Sequence, residues 1–205
     1  KTYTIELTAY TDAGCSATYA RNVEVYPVVH AAYEHPDEAC SPLTFVFDNQ
    51  SDNADFYHWE LGNGTVSVAE EPLGGYQNNT AFPDTFDIQL VATSAFGCED
   101  TARSTLVLHP KPSVAVFRDI TAGCSPLTVT LQNNSAVATS YEWIYGDGET
   151  SDTTAAVHQH TYHSTSTAPQ NFNGMLIAST DFGCRDTSDF KITVYPEVIA
   201  DFVPS

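Results

Sequence analysis

Basic side chains are scarce in this chain. Its 7 Lys and Arg stand against 26 Asp and Glu, a formal net charge of −19 with histidine neutral. Nucleic acids and anionic membranes are held by Lys and Arg that displace counterions, so neither is expected as the main partner. No run of about 18 apolar residues occurs, and no membrane insertion is expected in this segment. Methionine appears once, and Thr, Ser, Val, Asp and Asn are abundant, which favours strands and turns over helices. No stretch of about 12 residues sustains a helical apolar period. Chemical signatures are missing as well: no Gly-x-Ser-x-Gly elbow, no His-Glu-x-x-His, no phosphate-cradling glycine loop and no EF-hand loop. No catalytic residue is assigned, the chain is not read as an enzyme, and no cofactor is expected beyond a weak surface calcium.

What is present is a real core in alternating form. Hydrophobic residues make up 42%, with 11 Tyr, 11 Phe and 2 Trp. Phe86-Asp87-Ile88-Gln89-Leu90 and Leu127-Thr128-Val129-Thr130-Leu131 carry an apolar residue at every second position, the pattern of a strand with one buried face. The acids are scattered among such segments rather than gathered in a tail, so disorder is not expected.

The chain also repeats itself. Cys-Ser-Pro-Leu-Thr occurs at Cys40–Thr44 and again at Cys124–Thr128, and the same spacing of 84 separates Trp59 from Trp143. Gly-Cys recurs at Gly14-Cys15, Gly97-Cys98 and Gly183-Cys184, each followed by a strand and a ring-Pro pair: Tyr26-Pro27, His109-Pro110 and Tyr195-Pro196. This period is the size of one small β-sandwich. Tyr3, Ile5, Leu7 and Ala9 align with Phe86, Ile88, Leu90 and Ala92, and the last residues resemble Val114 to Phe117. The expected organisation is the C-terminal part of a truncated repeat at 1–28, complete repeats at 29–111 and 112–196, and the start of a further one at 197–205. That is the layout of a segment from a longer tandem array. Strands of the second complete repeat are expected near 113–118, 127–133, 140–145, 149–153, 156–162, 171–180 and 187–195.

The centre of each repeat carries a distinctive segment. It reads Tyr57-His58-Trp59-Glu60-Leu61-Gly62-Asn63-Gly64 in one and Tyr141-Glu142-Trp143-Ile144-Tyr145-Gly146-Asp147-Gly148 in the other, with His160-Thr161-Tyr162 following the second. These segments resemble the polycystic-kidney-disease (PKD) domain family, and the likeness covers essentially the whole chain. The resemblance implies an all-β protein of tandem immunoglobulin-like (PKD-type) β-sandwiches arranged end to end. Gly174, standing where the family has an apolar residue, predicts a bulge. The Cys-Ser-Pro-Leu-Thr openings and the Asp181-Phe-Gly-Cys-Arg-Asp-Thr187 hairpin resemble the Cys-containing repeats of large Bacteroidota cell-surface and gliding-motility adhesins exported by type IX secretion. That likeness implies a non-catalytic stalk segment at the cell surface, giving reach and stiffness. Its partners would be neighbouring repeats of the same chain, with surface glycans or other cell-surface proteins. Two alternatives stay open: a PKD spacer in a secreted polysaccharide- or protein-degrading enzyme, and a glycan-binding module.

Candidate sites follow from the same segments. Trp59 and Trp143 are read as core rather than sugar platforms, because sandwiches bury an aromatic at this place. Gly62, Asn63 and Gly64, like Gly146, Asp147 and Gly148, are read as tight turns that use positive φ. Asp147, Glu149 and Asp152 crowd one hairpin and are weak calcium candidates, although Asn63 keeps the turn without the charge. His158 and His160 lack a third ligand at a recognisable spacing, so no zinc is assigned. Thr101, Thr153 and Thr187 follow Asp in the Bacteroidota O-glycosylation pattern and are candidate glycan acceptors.

The five cysteines point to disulfides in an extracellular setting. Pairing within a repeat would join Cys40 to Cys98 and Cys124 to Cys184. In an immunoglobulin-like sandwich, however, the first turn and the last hairpin lie at opposite ends, about 25 Å apart at ~3.3 Å per residue. A disulfide needs Cα atoms within about 7 Å. The favoured bond is therefore between repeats, Cys40 to Cys184, with Cys15, Cys98 and Cys124 paired outside these residues. A strand order that brings the two turns together within one copy remains the rival.

Overall fold

The structure is a computed structural model describing residues 1–198; of the expected further repeat at 197–205, residues 199–205 lie outside the described ones. Every regular element among the described residues is a β-strand. The first two form a hairpin, β1 (Thr2–Tyr10) and β2 (Ser16–Glu24). Next come β3 (Tyr33–Glu34), β4 (Glu38–Cys40), β5 (Leu43–Val46), β6 (Asp48–Asn49), β7 (Phe56–Glu60), β8 (Val66–Ser67), β9 (Leu73–Tyr76), β10 (Asp84–Thr93) and β11 (Glu99–His109). The second complete repeat holds β12 (Val116–Arg118), β13 (Ala122–Cys124), β14 (Leu127–Asn133), β15 (Ser140–Ile144), β16 (Thr150–Ser151), β17 (Val157–Tyr162), β18 (Gln170–Ser179) and β19 (Arg185–Tyr195).

The two repeats share a sheet order. One five-stranded sheet runs β4-β11-β10-β7-β8 and the other β13-β19-β18-β15-β16. A three-stranded sheet β12-β14-β17 belongs to the second repeat, and the pairs β3-β6 and β5-β9 belong to the first. By compactness the chain divides differently from its sequence repeats. One unit comprises residues 1–37, 44–75 and 86–106; the other comprises, among the described residues, 38–43, 76–85 and 107–198. The second repeat thus shares its unit with Glu38–Leu43 and with the end of β11.

In the second unit two sheets close on one core. Leu127, Val129 and Leu131 of β14 meet Trp143, Leu176 and Ile192 of β15, β18 and β19. The alternation seen in the sequence produces this directly, since every second residue of a strand faces the same way. Trp143 is fully buried. Withdrawing about 200 Å² of indole from water contributes roughly 5 kcal/mol at ~25 cal/mol/Å². In the first unit Phe47, Trp59, Leu61, Ile88 and Leu90 are buried, and the Tyr33 ring stands edge-on to Trp59 at 5.0 Å. The β1-β2 hairpin differs: Ile5 and Leu7, aligned with Ile88 and Leu90, are 60% and 69% exposed.

Two strand expectations need correction. A strand at Ala122–Cys124 was not anticipated, because Ala-Gly-Cys has no periodicity to read; it exists through parallel pairing with the end of β19. The expected strands at 113–118 and 149–153 shorten to Val116–Arg118 and Thr150–Ser151.

The bulge expected at Gly174 is also absent. β18 and β19 pair without interruption from Gln170↔Val194 to Ser179↔Arg185, with Gly174 opposite Phe190. The Phe190 ring occupies the space that a Gly174 side chain would need. In the first repeat the aligned pair is Ile88 and Ser104, and both Tyr33 and Phe47 set a ring against the tryptophan; the Tyr33 hydroxyl bonds Ile88 O at 2.9 Å and Ser104 Oγ at 2.7 Å. The glycine makes room for a ring arriving from the neighbouring strand. Gly174→Ala should therefore destabilise the protein by about 1–3 kcal/mol through overpacking against Phe190. A shift in the urea midpoint at unchanged m-value measures this, and a neutral outcome would contradict the packing.

Candidate functional site

One covalent bond joins two of the candidate residues. Cys40 ends β4 and Cys184 sits in the hairpin between β18 and β19; they are disulfide-bonded, with Cα atoms 5.5 Å apart and 144 residues between them in sequence. Both belong to the second compact unit. Closing a loop of this length contributes on the order of 5 kcal/mol in the chain-entropy picture.

Backbone pairing fixes each half of this bond. β4 runs parallel to the end of β11 and sets Cys40 opposite His109, and the Ser41 N–H donates to His109 O at 2.9 Å. On the other side the tip is tied by Thr180: its N–H donates to Cys184 O at 2.9 Å, and its Oγ1 accepts from the Cys184 N–H at 3.2 Å. Beside the disulfide, the His109 ring stacks on Phe182 with centroids 3.8 Å apart. His109 is nearly buried and its Nε2 lies 3.0 Å from Glu38 Oε2, while its buried Nδ1 has no partner among the described residues. The Lys111 ammonium lies 2.7 Å from Asp186 Oδ1.

Several parts of this arrangement occur twice. Tyr26, the residue aligned with His109, stacks on Phe96 at 4.0 Å, and Phe96 precedes Gly97-Cys98 as Phe182 precedes Gly183-Cys184. Asp100, aligned with Asp186, accepts the Ala31 N–H at 2.9 Å. Asp100 and Asp186 thus each hold chain near a repeat boundary, Asp100 through Ala31 and Asp186 through Lys111. Sequence reasoning missed the stacked rings, although the recurrent Phe-Gly-Cys and the ring before each Pro were the available signals.

The remaining candidates are placed as follows. Cys15, Cys98 and Cys124 form no disulfide among the described residues; Cys15 and Cys124 are exposed and Cys98 is half-buried. Trp59 and Trp143 have no exposed surface, and the Trp59 indole N–H donates to Ala69 O at 3.0 Å. Gly62, Gly64, Gly146 and Gly148 all have positive φ. A Cβ on Gly62 or Gly146 would strike the backbone of Asp87 or Asn173. Between the glycines, Asn63 Oδ1 accepts the Thr65 N–H and Asp147 Oδ1 the Glu149 N–H, at 2.9 and 3.0 Å. The free end of each side chain then differs: the Asn63 amide donates to Gly75 O, whereas Asp147 Oδ2 lies 2.6 Å from His160 Nε2. His158 Nε2 lies 3.0 Å from the Tyr145 hydroxyl. Thr101 and Thr187 are exposed on β11 and β19; Thr153 is half-buried and its Oγ1 accepts the Ala155 N–H.

Both oxygens of Asp147 are thus engaged, one within the turn and one by His160 of β17, and no group of three or more His, Cys, Asp or Glu among the described residues is arranged to hold a metal. A groove of about 380 Å³ borders the joint and includes Asn78, Thr80, Lys111 and Asp186. Asn78 is itself occupied, its amide donating to Phe82 O and Leu108 O and its carbonyl accepting from Thr80.

No protein-family model matches the sequence, and no curated protein matches it. Among solved structures, the PKD1 domain of the Vibrio cholerae metalloprotease PrtV is 26% identical and covers 42% of this chain and 98% of its own, with a TM-score of 0.33. The I67–I69 fragment of the titin I-band is 10% identical, covers 84% and 66% respectively, and has a TM-score of 0.44. A 1.5-MDa bacterial ice-binding adhesin is 11% identical, covers 97% and 75%, and has a TM-score of 0.37.

Two tests address this geometry. Chelation with EDTA should leave the melting temperature nearly unchanged; a fall of more than about 10 °C would mean that bound metal contributes several kcal/mol. The second is acid titration. Burial pushes the Asp186 carboxyl up, but hydrogen bonds from Lys111 and from the Thr187 and Val114 N–H groups, with the Lys111 charge, hold it below the usual aspartate range. Asp100 is lowered by the Ala31 and Thr101 N–H groups. A depressed carboxylate adds stability above its unfolded pKa of about 3.9 and loses it as pH falls through the folded value. Stability should decline on acidification below about pH 4, and Asp186→Asn should be less stable at neutral pH with a shallower acid limb. An unchanged limb in chemical denaturation would reject the Lys111–Asp186 contribution.

Proposed function

We propose that this chain is a non-catalytic stalk segment of a long, repetitive extracellular adhesin, giving reach and stiffness at a cell surface. The carrying observation is the Cys40–Cys184 bond between the first turn of one sequence repeat and the last hairpin of the next. A disulfide of this kind belongs to an oxidising, extracellular setting. A load drawn between the two ends of the chain runs through the sulfurs and bypasses the residues between them. Strands of 10 and 11 residues such as β10 and β11 span about 33 and about 36 Å at ~3.3 Å per residue, so repeated units give length. The high negative charge keeps neighbouring stalks apart. On the sequence resemblance, the stalk is assigned to surface adhesins of gliding Bacteroidota exported by type IX secretion.

Single-molecule stretching tests this reading. Pulled from its ends without reductant, the chain should extend only through residues outside the disulfide loop. Reductant should then release about 500 Å more, from 144 residues at ~3.6 Å each. Full extension without reductant would overturn the path of force through the sulfurs.

A further inference from the structure

Asparagine followed by glycine readily loses its side-chain amide, because no side chain on the next residue shields the backbone nitrogen that attacks the carboxamide. The dipeptide occurs at Asn63-Gly64 and at Asn173-Gly174, and the fold treats the two differently. Asn63 lies in the turn between β7 and β8, outside any strand. Gly64 is exposed, with a φ of 85° and open space where a Cβ would stand. Asn63 Oδ1 accepts the Thr65 N–H at 2.9 Å, which keeps the carboxamide carbon in one closed turn with the Gly64 nitrogen. Asn173 is exposed too, but it sits inside β18, which pairs with β15 on one side and β19 on the other. Asn173 stands opposite Lys191, and Gly174 is buried opposite Phe190. Cyclisation swings the following nitrogen toward Cβ, which extended backbone in a ladder does not allow until the strand opens.

The amide at position 63 also holds the fold together. Asn63 Nδ2 donates to Gly75 O at 2.9 Å and ties the turn to β9, a strand of a different sheet. In the second repeat the aligned Asp147 already carries a carboxylate, and His160 Nε2 of β17 meets it at 2.6 Å. Gly75 O is an acceptor and offers a carboxylate nothing. A carboxylate at 63 would also join Glu60 and Asp87, which line the groove of about 210 Å³ beside the turn.

We infer that Asn63 is a site of spontaneous deamidation in the folded protein, and that its product unties the β7–β8 turn from β9. The Gly64 nitrogen gives up its proton to water and bonds to Asn63 Cγ. The Cγ–Nδ2 bond breaks, and the amide leaves as ammonia with a proton returned by water. A second water then opens the resulting succinimide. Cleavage of the new bond from Gly64 N to Cγ leaves aspartate at position 63. Cleavage of the original peptide bond leaves isoaspartate, whose main chain runs through Cβ and Cγ and is longer by a methylene. The net change is one water consumed and one ammonia released, with nothing oxidised or reduced. Either product removes the donor that held Gly75 O. The first repeat therefore ages at this turn, while the second, with its carboxylate matched to His160, does not. The chemistry holds whether or not the chain serves as a stalk.

The whole chain is kept in mildly alkaline buffer made with heavy-oxygen water, once folded and once in denaturing urea. Peptide mapping then follows label uptake and isoaspartate at both dipeptides. In the folded chain Asn63 should convert at least about tenfold faster than Asn173, because only Asn173 must first open a ladder. In urea the two rates should come within about threefold of each other. Equal folded rates, or slower conversion at Asn63, would sink the site. A tenfold gap that persists in urea would do the same, since the fold would not be its source. The untying is read separately from Asn63→Asp, which should lower the melting temperature by about 3–6 °C. A variant that melts with wild type would overturn it.

Discussion

The parallel pairing of β4 with the end of β11 is short, three residues against three, yet it governs what the joint can do. It ends β4 beside the strand by which the chain leaves the repeat, and so brings Cys40 and His109 into register. Without it the turn cysteine would have no fixed relation to the exit strand. With it, one disulfide, one stacked ring pair and one ion pair fall within the same compact unit. The second repeat builds the same pairing from β13 and β19. Sulfur supplies the covalent fastening, but the backbone ladder aims it.

The two repeats reach one architecture by different side-chain solutions. Tyr33 in one and Phe190 in the other bring a ring to the buried tryptophan from different strands; Gly174 leaves room for Phe190, while the aligned Ile88 accepts the Tyr33 hydroxyl on its carbonyl. The turn after each tryptophan strand keeps its backbone hydrogen bond while the far end of the side chain changes partner, from a carbonyl for Asn63 to His160 for Asp147. What recurs is the backbone geometry and the volume. The atoms that satisfy them are interchangeable, as expected of cores that tolerate volume-conserving exchange.

This division explains how much of the molecule was legible from its sequence. Strands such as Leu127–Asn133 declare themselves by alternation, and the cysteine blocks by their period. Cys40 and Cys184 could be singled out because the argument needed only strand length and the reach of a disulfide. Ala122–Cys124 could not, since its pairing is set by β19 far along the chain. Gly174 misled because its compensation arrives through Phe190 on the facing strand, outside any local window. The stacks of Tyr26 on Phe96 and His109 on Phe182 join a residue at or just past a strand end to one at a hairpin tip, where periodicity carries no information. The part of the joint that depends on distant rings is visible only once the chain is folded.

The span of the disulfide also bears on wear. Surface turns of sandwiches, such as Gly62-Asn63-Gly64 and Gly146-Asp147-Gly148, are where extracellular proteases cut first. Both turns lie between Cys40 and Cys184. A single nick at either leaves residues 1–40 and those from 184 onward covalently connected through sulfur, with the strands on both sides of the cut still held in their sheets. Continuity of the chain then no longer depends on every peptide bond along it: over this stretch there are two covalent routes, and losing one does not sever it.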